Sequence, residues 1–233
     1  MKRDCKQCKL STKCAVFGST KTDLNKIKLI VIGSYPDEND EAVNVAFSPI
    51  HRSTKSQNKT SNGLFIRKVL ERLLGSEYKN AIYFTYAIKC NKRDNSITNK
   101  ERIICKNKWL IDELNKFNSN IPILIMGNEG IKALFSINKN INDYRGKISR
   151  WQNHPVVTTF DRQLAEQAML NVFINNPDNV LQDLVELYKS KKVTHKLLNK
   201  FTQTKVWQPI LPGTLAWFLT KDLKLLKKIV SSL

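Results

Sequence analysis

Short apolar runs alternate with amphipathic stretches along the first 188 residues. The stretch 27–37 carries five apolar residues and ends on Gly33 and Pro36, which predicts a buried strand that runs into a tight loop. The remaining predicted strands are 81–88, 121–126 and 156–160, and the predicted helices are 64–74, 99–117, 130–135 and 180–188. This alternation predicts an α/β fold, a three-layer αβα sandwich with a mostly parallel central sheet.

The loop 33–37 is the first candidate for chemistry, because ligands of open α/β sheets bind beyond the carboxyl ends of the strands. The residues after it, 37–41, are acidic and typical of a turn, and 43–47 are apolar. The stretch 51–63 is polar and basic, which predicts a surface loop. A plain turn at 33–37 is the alternative interpretation.

A change in composition near Lys189 divides the chain into a domain of residues 1–188 and a basic, aromatic C-terminal extension of residues 189–233. The extension contains Trp207, Leu215, Trp217 and Phe218, which are too many apolar side chains to leave in water. Two alternatives follow. The extension either ends in a helix packed on the core, or it docks on a replication or repair protein.

The net charge of +19, from 39 Lys and Arg against 20 Asp and Glu, favours a polyanionic partner such as DNA and a steep salt dependence of binding. A generally Lys- and Asn-rich proteome would also give this composition. No apolar run is long enough to span a membrane, and Met1 to Cys5 lack the apolar segment of a signal peptide. The sequence therefore predicts a cytoplasmic protein without membrane contact.

Four cysteines have a spacing that suggests a metal centre. Cys5 and Cys8 form a Cys-x-x-Cys pair, Cys90 follows the second predicted strand, and Cys105 lies in the next helix. Four thiolates can hold a [4Fe-4S] cluster or a tetrahedral zinc ion. Scattered cysteines are also common as small buried apolar residues.

The order of these features resembles the family 4 uracil-DNA glycosylases, the iron-sulfur branch of that superfamily, over residues 5–188. The matching motifs are Cys5-Lys-Gln-Cys8-Lys-Leu10, Gly33-Ser34-Tyr35-Pro36-Asp37, Phe47, Cys90, Cys105, Gly127, Arg145-Gly146 and Asp183-Leu184. The resemblance implies a uracil-DNA glycosylase-like fold and a [4Fe-4S] cluster, rather than zinc, on Cys5, Cys8, Cys90 and Cys105. It leaves Cys14 as a free thiol and implies that Phe47 stacks on a flipped base.

Three catalytic motifs of that family are altered in this sequence. Ser34 replaces a glutamate, Thr85-Tyr86 replaces the Thr-Asn pair that reads the pyrimidine edge, and Asp161-Arg162 stands where the family has His-Pro. Ser34 cannot act as a carboxylate base, and Asp161 cannot stabilise a developing oxyanion as an imidazole does. Excision of plain uracil is therefore the least favoured activity.

Two functions remain open. The first is a DNA glycosylase with a pocket rebuilt for a modified or damaged base. The second is a catalytically degenerate DNA-binding accessory module on the same fold, with its pocket filled by Tyr35 and Tyr86. The candidate residues are Ser34, Asp37 and Asp161 for catalysis, Tyr35, Phe47 and Tyr86 for base binding, and Arg52, Lys55, Lys59 and Arg162 for DNA binding.

Overall fold

The computed structural model describes residues 5, 8–10, 15–49, 62–93, 96–135, 137–162, 164–165 and 215–232. The strands are β1 Leu29–Gly33, β2 Ile82–Tyr86, β3 Ile123–Met126, β4 Ser149–Trp151 and β5 His154–Thr159. The α-helices are α1 Glu38–Val43, α2 Asn62–Leu74, α3 Asn99–Cys105, α4 Ile111–Leu114, α5 Asn128–Leu134 and α6 Leu215–Val230. A π-helical turn, Lys106–Leu110, joins α3 to α4, so the helix predicted at 99–117 is helical from residue 99 to residue 114.

The strands form one sheet in the order β2-β1-β3-β5-β4. All neighbouring strands are parallel except β4, which pairs antiparallel with β5. The predicted α/β fold with a mostly parallel sheet is therefore confirmed. The three-residue edge strand β4 was not predicted, because it is too short to show an alternating pattern.

Helices cover both faces of the sheet. Leu29 and Val31 of β1 share one core cluster with residues of α2 and α6, whereas Ile30 and Ile32 share the other with residues of α4 and α5. Because successive side chains of a strand point to opposite faces, one continuously apolar strand supplies both cores.

The prediction of an acidic turn at residues 37–41 is wrong, because Glu38–Val43 form the helix α1. Asp37 caps this helix. Its Oδ1 accepts a hydrogen bond from the Asp40 backbone N–H at 2.8 Å, and Asp40 Oδ2 accepts one from the Asp37 N–H at 3.1 Å. This reciprocal capping box stabilises a helix too short to form by propensity alone.

The helix α6 packs on the core through Leu223, Leu226, Ile229 and Val230, which are all buried. The end of the extension is thus the packed helix of the first alternative. The domain boundary at 188/189, the helix predicted at 180–188 and Trp207 lie outside the described residues. Among the residues that the structure describes, no helix has the length and apolar content needed to cross a membrane.

Candidate functional site

Phe47, the residue expected to stack on a flipped base, is already covered by another aromatic ring. The Tyr86 ring lies parallel to it, with 4.9 Å between centroids and 7° between planes. Both side chains are buried, at 0% exposure for Phe47 and 1% for Tyr86. Gly33 pairs with Tyr86 across the sheet, and a Cβ at this glycine would come within 2.8 Å of both rings. The last residue of β1 therefore has to be small for this stack to form.

Three hydrogen bonds hold the Tyr86 hydroxyl in place. The hydroxyl donates to Asp40 Oδ2 at 2.6 Å, and it accepts from the Phe47 N–H at 3.1 Å and from Arg162 Nη1 at 2.9 Å. Burial raises the pKa of Tyr86 well above its ordinary value, so the phenol stays neutral at physiological pH. The tyrosine is fixed at its ring and at its polar end.

Arg162 connects this tyrosine to two carboxylates. Its Nη1 also donates to Asp40 Oδ2 at 2.9 Å, and its Nη2 donates to Asp37 Oδ2 at 2.6 Å. Burial acts to lower the pKa of Arg162, but Tyr86, Asp40 and Asp37 outweigh it and the pKa is raised. The side chain is only 13% exposed. Arg162, the residue predicted to contact DNA, is therefore largely buried and paired with two carboxylates.

The backbone at Phe47 is held in the left-handed region, at a φ of 50°. Arg67 of α2 donates to the Phe47 carbonyl at 2.8 Å through Nε and to the Ala46 carbonyl at 2.9 Å through Nη2. Its guanidinium also lies 3.9 Å from the centroid of the Phe84 ring. Bulky residues are rare at such φ values, and they persist where neighbouring contacts over-determine them.

Sequence reasoning missed Arg67 and Asp40, although both support the aromatic pair. Asp40 is 1% exposed, and its Oδ1 accepts the Ser48 N–H at 2.7 Å. The Asp-x-x-Asp spacing of Asp37 and Asp40 is a capping-box signal that would have located this residue. No local signal marks Arg67, because its partners are about 20 residues away.

The three altered motifs meet at the carboxyl ends of the strands. Ser34 Oγ donates to the Met126 carbonyl at 3.4 Å, and a Cβ at Gly127 would lie 2.4 Å from Ser34 Oγ and 2.9 Å from Asp161 Cβ. Asp161 Oδ1 accepts the Leu164 N–H at 3.0 Å. The structure thus brings Ser34 and Asp161 together behind Gly127, whose φ of 94° also disfavours a side chain.

Asp37 is more accessible than Asp40, with a side chain 41% exposed against 1%. Partial burial raises the pKa of its carboxyl, and Arg162 acts against that rise. Asp37 is therefore an acidic group at the pocket edge that is held by a helix cap and an ion pair.

The four predicted cysteine ligands lie in one cluster, with Leu10, Ala15 and Ile88 around them. Burial, followed by Cys105, Cys5 and Cys8, raises the pKa of Cys90 from 9.0 to about 12. No three His, Cys, Asp or Glu side chains stand at metal-binding geometry in the part of the chain that is described. The donor set of four thiols fits an iron-sulfur cluster or zinc. The four thiols are thus near one another, but their described positions do not form the geometry of a bound metal.

Tyr35 packs against the cysteine cluster rather than against the Phe47 ring. Its ring lies 5.3 Å from Lys92 Nζ. Of the three aromatic residues predicted to bind a base, the structure stacks Phe47 on Tyr86 and places Tyr35 in the neighbouring cluster.

A buried ion pair joins the end of β2 to the helix that carries Glu113. Lys89 Nζ donates to Glu113 Oε2 and to Thr85 Oγ1, both at 2.7 Å, and Thr85 donates to Glu113 at 2.5 Å. Glu113 Oε1 accepts the Gly18 N–H at 3.0 Å. Every member of the network has a partner, so the pair fixes the N-terminal segment to the helix that carries Glu113.

Three predicted DNA-binding residues, Arg52, Lys55 and Lys59, lie outside the described residues, as do Cys14 and the pair Asp183-Leu184.

A protein family model matches most of the chain. The family model described as Uracil DNA glycosylase superfamily matches residues 20–201 of the chain. No curated protein matches the sequence significantly. The matched range contains the five strands, the Phe47 and Tyr86 rings and the altered motifs, and it begins after Cys5 and Cys8.

Proposed function

Since the chain belongs to the uracil-DNA glycosylase superfamily, we propose that it binds DNA with the glycosylase fold and does not excise uracil. The observation that carries this proposal is the Tyr86 ring, which lies on Phe47 where a base would stack. Glycosylases act on a nucleotide that has been flipped out of the duplex and is held by stacking and by hydrogen bonds to its edge. Here a side chain of the protein occupies the stacking surface.

Opening this pocket for a base is costly. Tyr86 would have to leave three hydrogen bonds, two of them to charged groups. Hydrogen bonds to charged groups contribute about 1.5–3 kcal/mol each. Asp40 and Arg162 would also stay paired to each other in the emptied space, and neither offers the amide edge that a pyrimidine needs. The binding free energy that uracil gains in this site is therefore too small to offset the free energy of displacing Tyr86.

Excision of a modified or damaged base is the second candidate, and Asp37 is the observation that favours it. Its carboxylate is the partly exposed acid at the pocket edge, and a carboxylate can position or activate a water molecule. A base with a large cationic or hydrogen-bonding substituent would have to displace Tyr86 and pair with Asp37 or Asp40.

We also propose that Cys5, Cys8, Cys90 and Cys105 hold a [4Fe-4S] cluster. The support is that all four thiols share one cluster, although they are spread over about 100 positions of the sequence. Such a cluster would tie the N-terminal segment to the core, where the Val16 N–H already donates to the Lys89 carbonyl at 2.7 Å. Protein purified anaerobically should contain roughly four iron atoms per chain. Stoichiometric zinc without iron contradicts the iron-sulfur assignment.

One oligonucleotide panel separates the two candidate functions. Single- and double-stranded DNA with uracil, hydroxymethyluracil, hypoxanthine or glucosylated hydroxymethylcytosine is incubated with the protein, and alkali-labile abasic sites are counted. We expect binding that weakens steeply with salt and no abasic sites. Release of one of the modified bases supports the second candidate, and release of uracil contradicts the proposal. Heat-treated protein and a catalytically active uracil glycosylase are the controls.

A further inference from the structure

The outer face of α6 carries only positive charge. Lys221, Lys224, Lys227 and Lys228 are all exposed, and the exposed residues that follow them are two serines. Asp222 is the only acidic residue in the helix. It is 1% exposed and accepts a hydrogen bond from Arg145 Nε at 2.9 Å. The cationic face therefore has no acidic side chain of its own helix beside it.

This arrangement costs stability. Lys224 lies three and four positions before Lys227 and Lys228, and like charges at these spacings repel each other on a helix surface. No ion pair joins these three lysines to an acid among the residues the structure describes. The helix dipole favours Lys227 and Lys228 in the last turn, but its effect does not reach Lys224. An ordinary solvated helix face mixes both signs.

The apolar face of α6 limits the kinds of partner. Leu223, Leu226, Ile229 and Val230 are buried in the core, so the helix has no apolar side left to insert into a membrane surface. Lys221 and Lys228 are seven residues apart, which is about 10 Å along a helix. A DNA duplex carries roughly six phosphate charges in that length.

The helix α6 also lies next to the carboxyl ends of the strands, where Phe47 and Tyr86 are stacked. Asp222 accepts hydrogen bonds from the Gly146 N–H at 3.2 Å and from Thr159 Oγ1 at 3.0 Å. Thr159 ends β5, and Asp161 and Arg162 follow it directly. The contacts of Asp222 therefore place this part of α6 beside the carboxyl end of β5.

We propose that the outer face of α6 is a second phosphate-binding surface, which contacts the DNA backbone beside the pocket. This inference rests on the proposed function, that the chain binds DNA. Phosphate contacts supply affinity without reading sequence, so the surface holds and orients the duplex whichever base faces the pocket.

The test compares two triple substitutions that change the net charge equally. The first is Lys224→Gln, Lys227→Gln and Lys228→Gln. The matched control changes Lys28, Lys79 and Lys116 to Gln. These lysines are also exposed, but they precede β1, β2 and β3 and so lie toward the amino ends of the strands, away from Asp161 and Arg162. DNA affinity is measured by fluorescence anisotropy between 50 and 300 mM salt on duplexes of two unrelated sequences.

Each phosphate contact contributes about 0.9 to the slope of log affinity against log salt. We expect the α6 variant to lose about 2–3 from this slope on both duplexes, while the control variant keeps the slope of the unmodified protein. A third variant with Arg at the three α6 positions should also keep it. Equal melting temperatures of all variants exclude unfolding as the cause.

Equal slopes for the α6 and control variants overturn the inference and leave the proposed function intact. A loss seen only on an RNA duplex of the same sequence also overturns it. Failure of the unmodified protein to bind any DNA overturns the proposed function itself, and this is measured before any variant is made.

Discussion

Removing one oxygen from Tyr86 tests whether the closed pocket is a stabilised feature of the fold. Tyr86→Phe keeps the ring that stacks on Phe47 and deletes the hydroxyl that bonds to Asp40, Arg162 and the Phe47 N–H. The substitution therefore separates the hydrogen-bond contribution from the packing of the aromatic pair.

The magnitude follows from what each partner retains. Asp40 Oδ2 keeps the Arg162 bond and the Asp37 N–H, and Arg162 keeps both carboxylates. The buried Phe47 N–H loses its acceptor, which costs about 1–3 kcal/mol. Together with the lost bond to Asp40, we expect the free energy of unfolding to fall by about 2–3 kcal/mol. In a chain of this size that lowers Tm by roughly 4–12 °C.

The assay is urea unfolding followed by tryptophan fluorescence, with thermal unfolding as the second measurement. Tyr78→Phe is the matched control. Tyr78 is also a core residue, at 8% exposure, and its hydroxyl bonds to no described side chain. We expect it to change stability by less than about 0.5 kcal/mol. If the two variants are equally stable, the hydroxyl network contributes nothing and the pocket is closed by ring packing alone.

Three further outcomes are expected. Lys89→Met leaves Glu113 buried without its cation, so it should destabilise the protein by about 3–5 kcal/mol; Lys89→Met with Glu113→Leu should recover only part of that loss in a double-mutant cycle, because the Gly18 N–H and the Thr85 hydroxyl then lose their acceptor. Arg67→Met removes the donor to the Phe47 carbonyl and should release the left-handed backbone at Phe47. Limited proteolysis should then cut faster at the segment around Phe47, and Arg67→Lys should slow this cleavage in part. In metal-free, reduced protein the native pKa of Cys90 is about 12 against an ordinary 9.0, so the native state binds more protons between these values. The contribution of Cys90 to stability should then be constant below about pH 8.5 and fall at up to about 1.4 kcal/mol per pH unit above pH 9. Cys90→Ala should reduce the slope in urea unfolding at pH 7–10 without removing it, because burial also raises the pKa of Cys105.

The regular parts of the fold were predictable because their signals are local. Continuous apolar runs mark the buried strands β1 and β3, and an apolar stripe with helical spacing marks α2. Gly33 and Gly127 mark the ends of the two strands. α1 was missed because its six residues, three of them acidic, form a helix only through the Asp37 and Asp40 cap. β4 was missed because its three residues depend on pairing with β5.

The sequence predicted which residues lie near the candidate site, but not which of their side chains contact one another. Sequence reasoning located Phe47, Tyr86 and Arg162 near one pocket, but their arrangement depends on side chains 39 to 122 positions apart. Arg162 was expected to face DNA, and it instead neutralises Asp40, whose burial no sequence pattern shows. The four cysteines share one cluster, and Cys-x-x-Cys and the strand end limit where the thiols can lie, whereas the metal that they were expected to hold stays a prediction.

The stack of Tyr86 on Phe47 also limits what a single substitution can achieve. A single Tyr86→Asn substitution would place an amide at this position, but it would leave a void beside Phe47 and deprive Asp40 of its phenol partner. Arg162 would still hold Asp37 and Asp40 across the opening. One substitution at Tyr86 therefore does not restore a uracil pocket, because it removes buried contacts and leaves the arginine and both carboxylates in place.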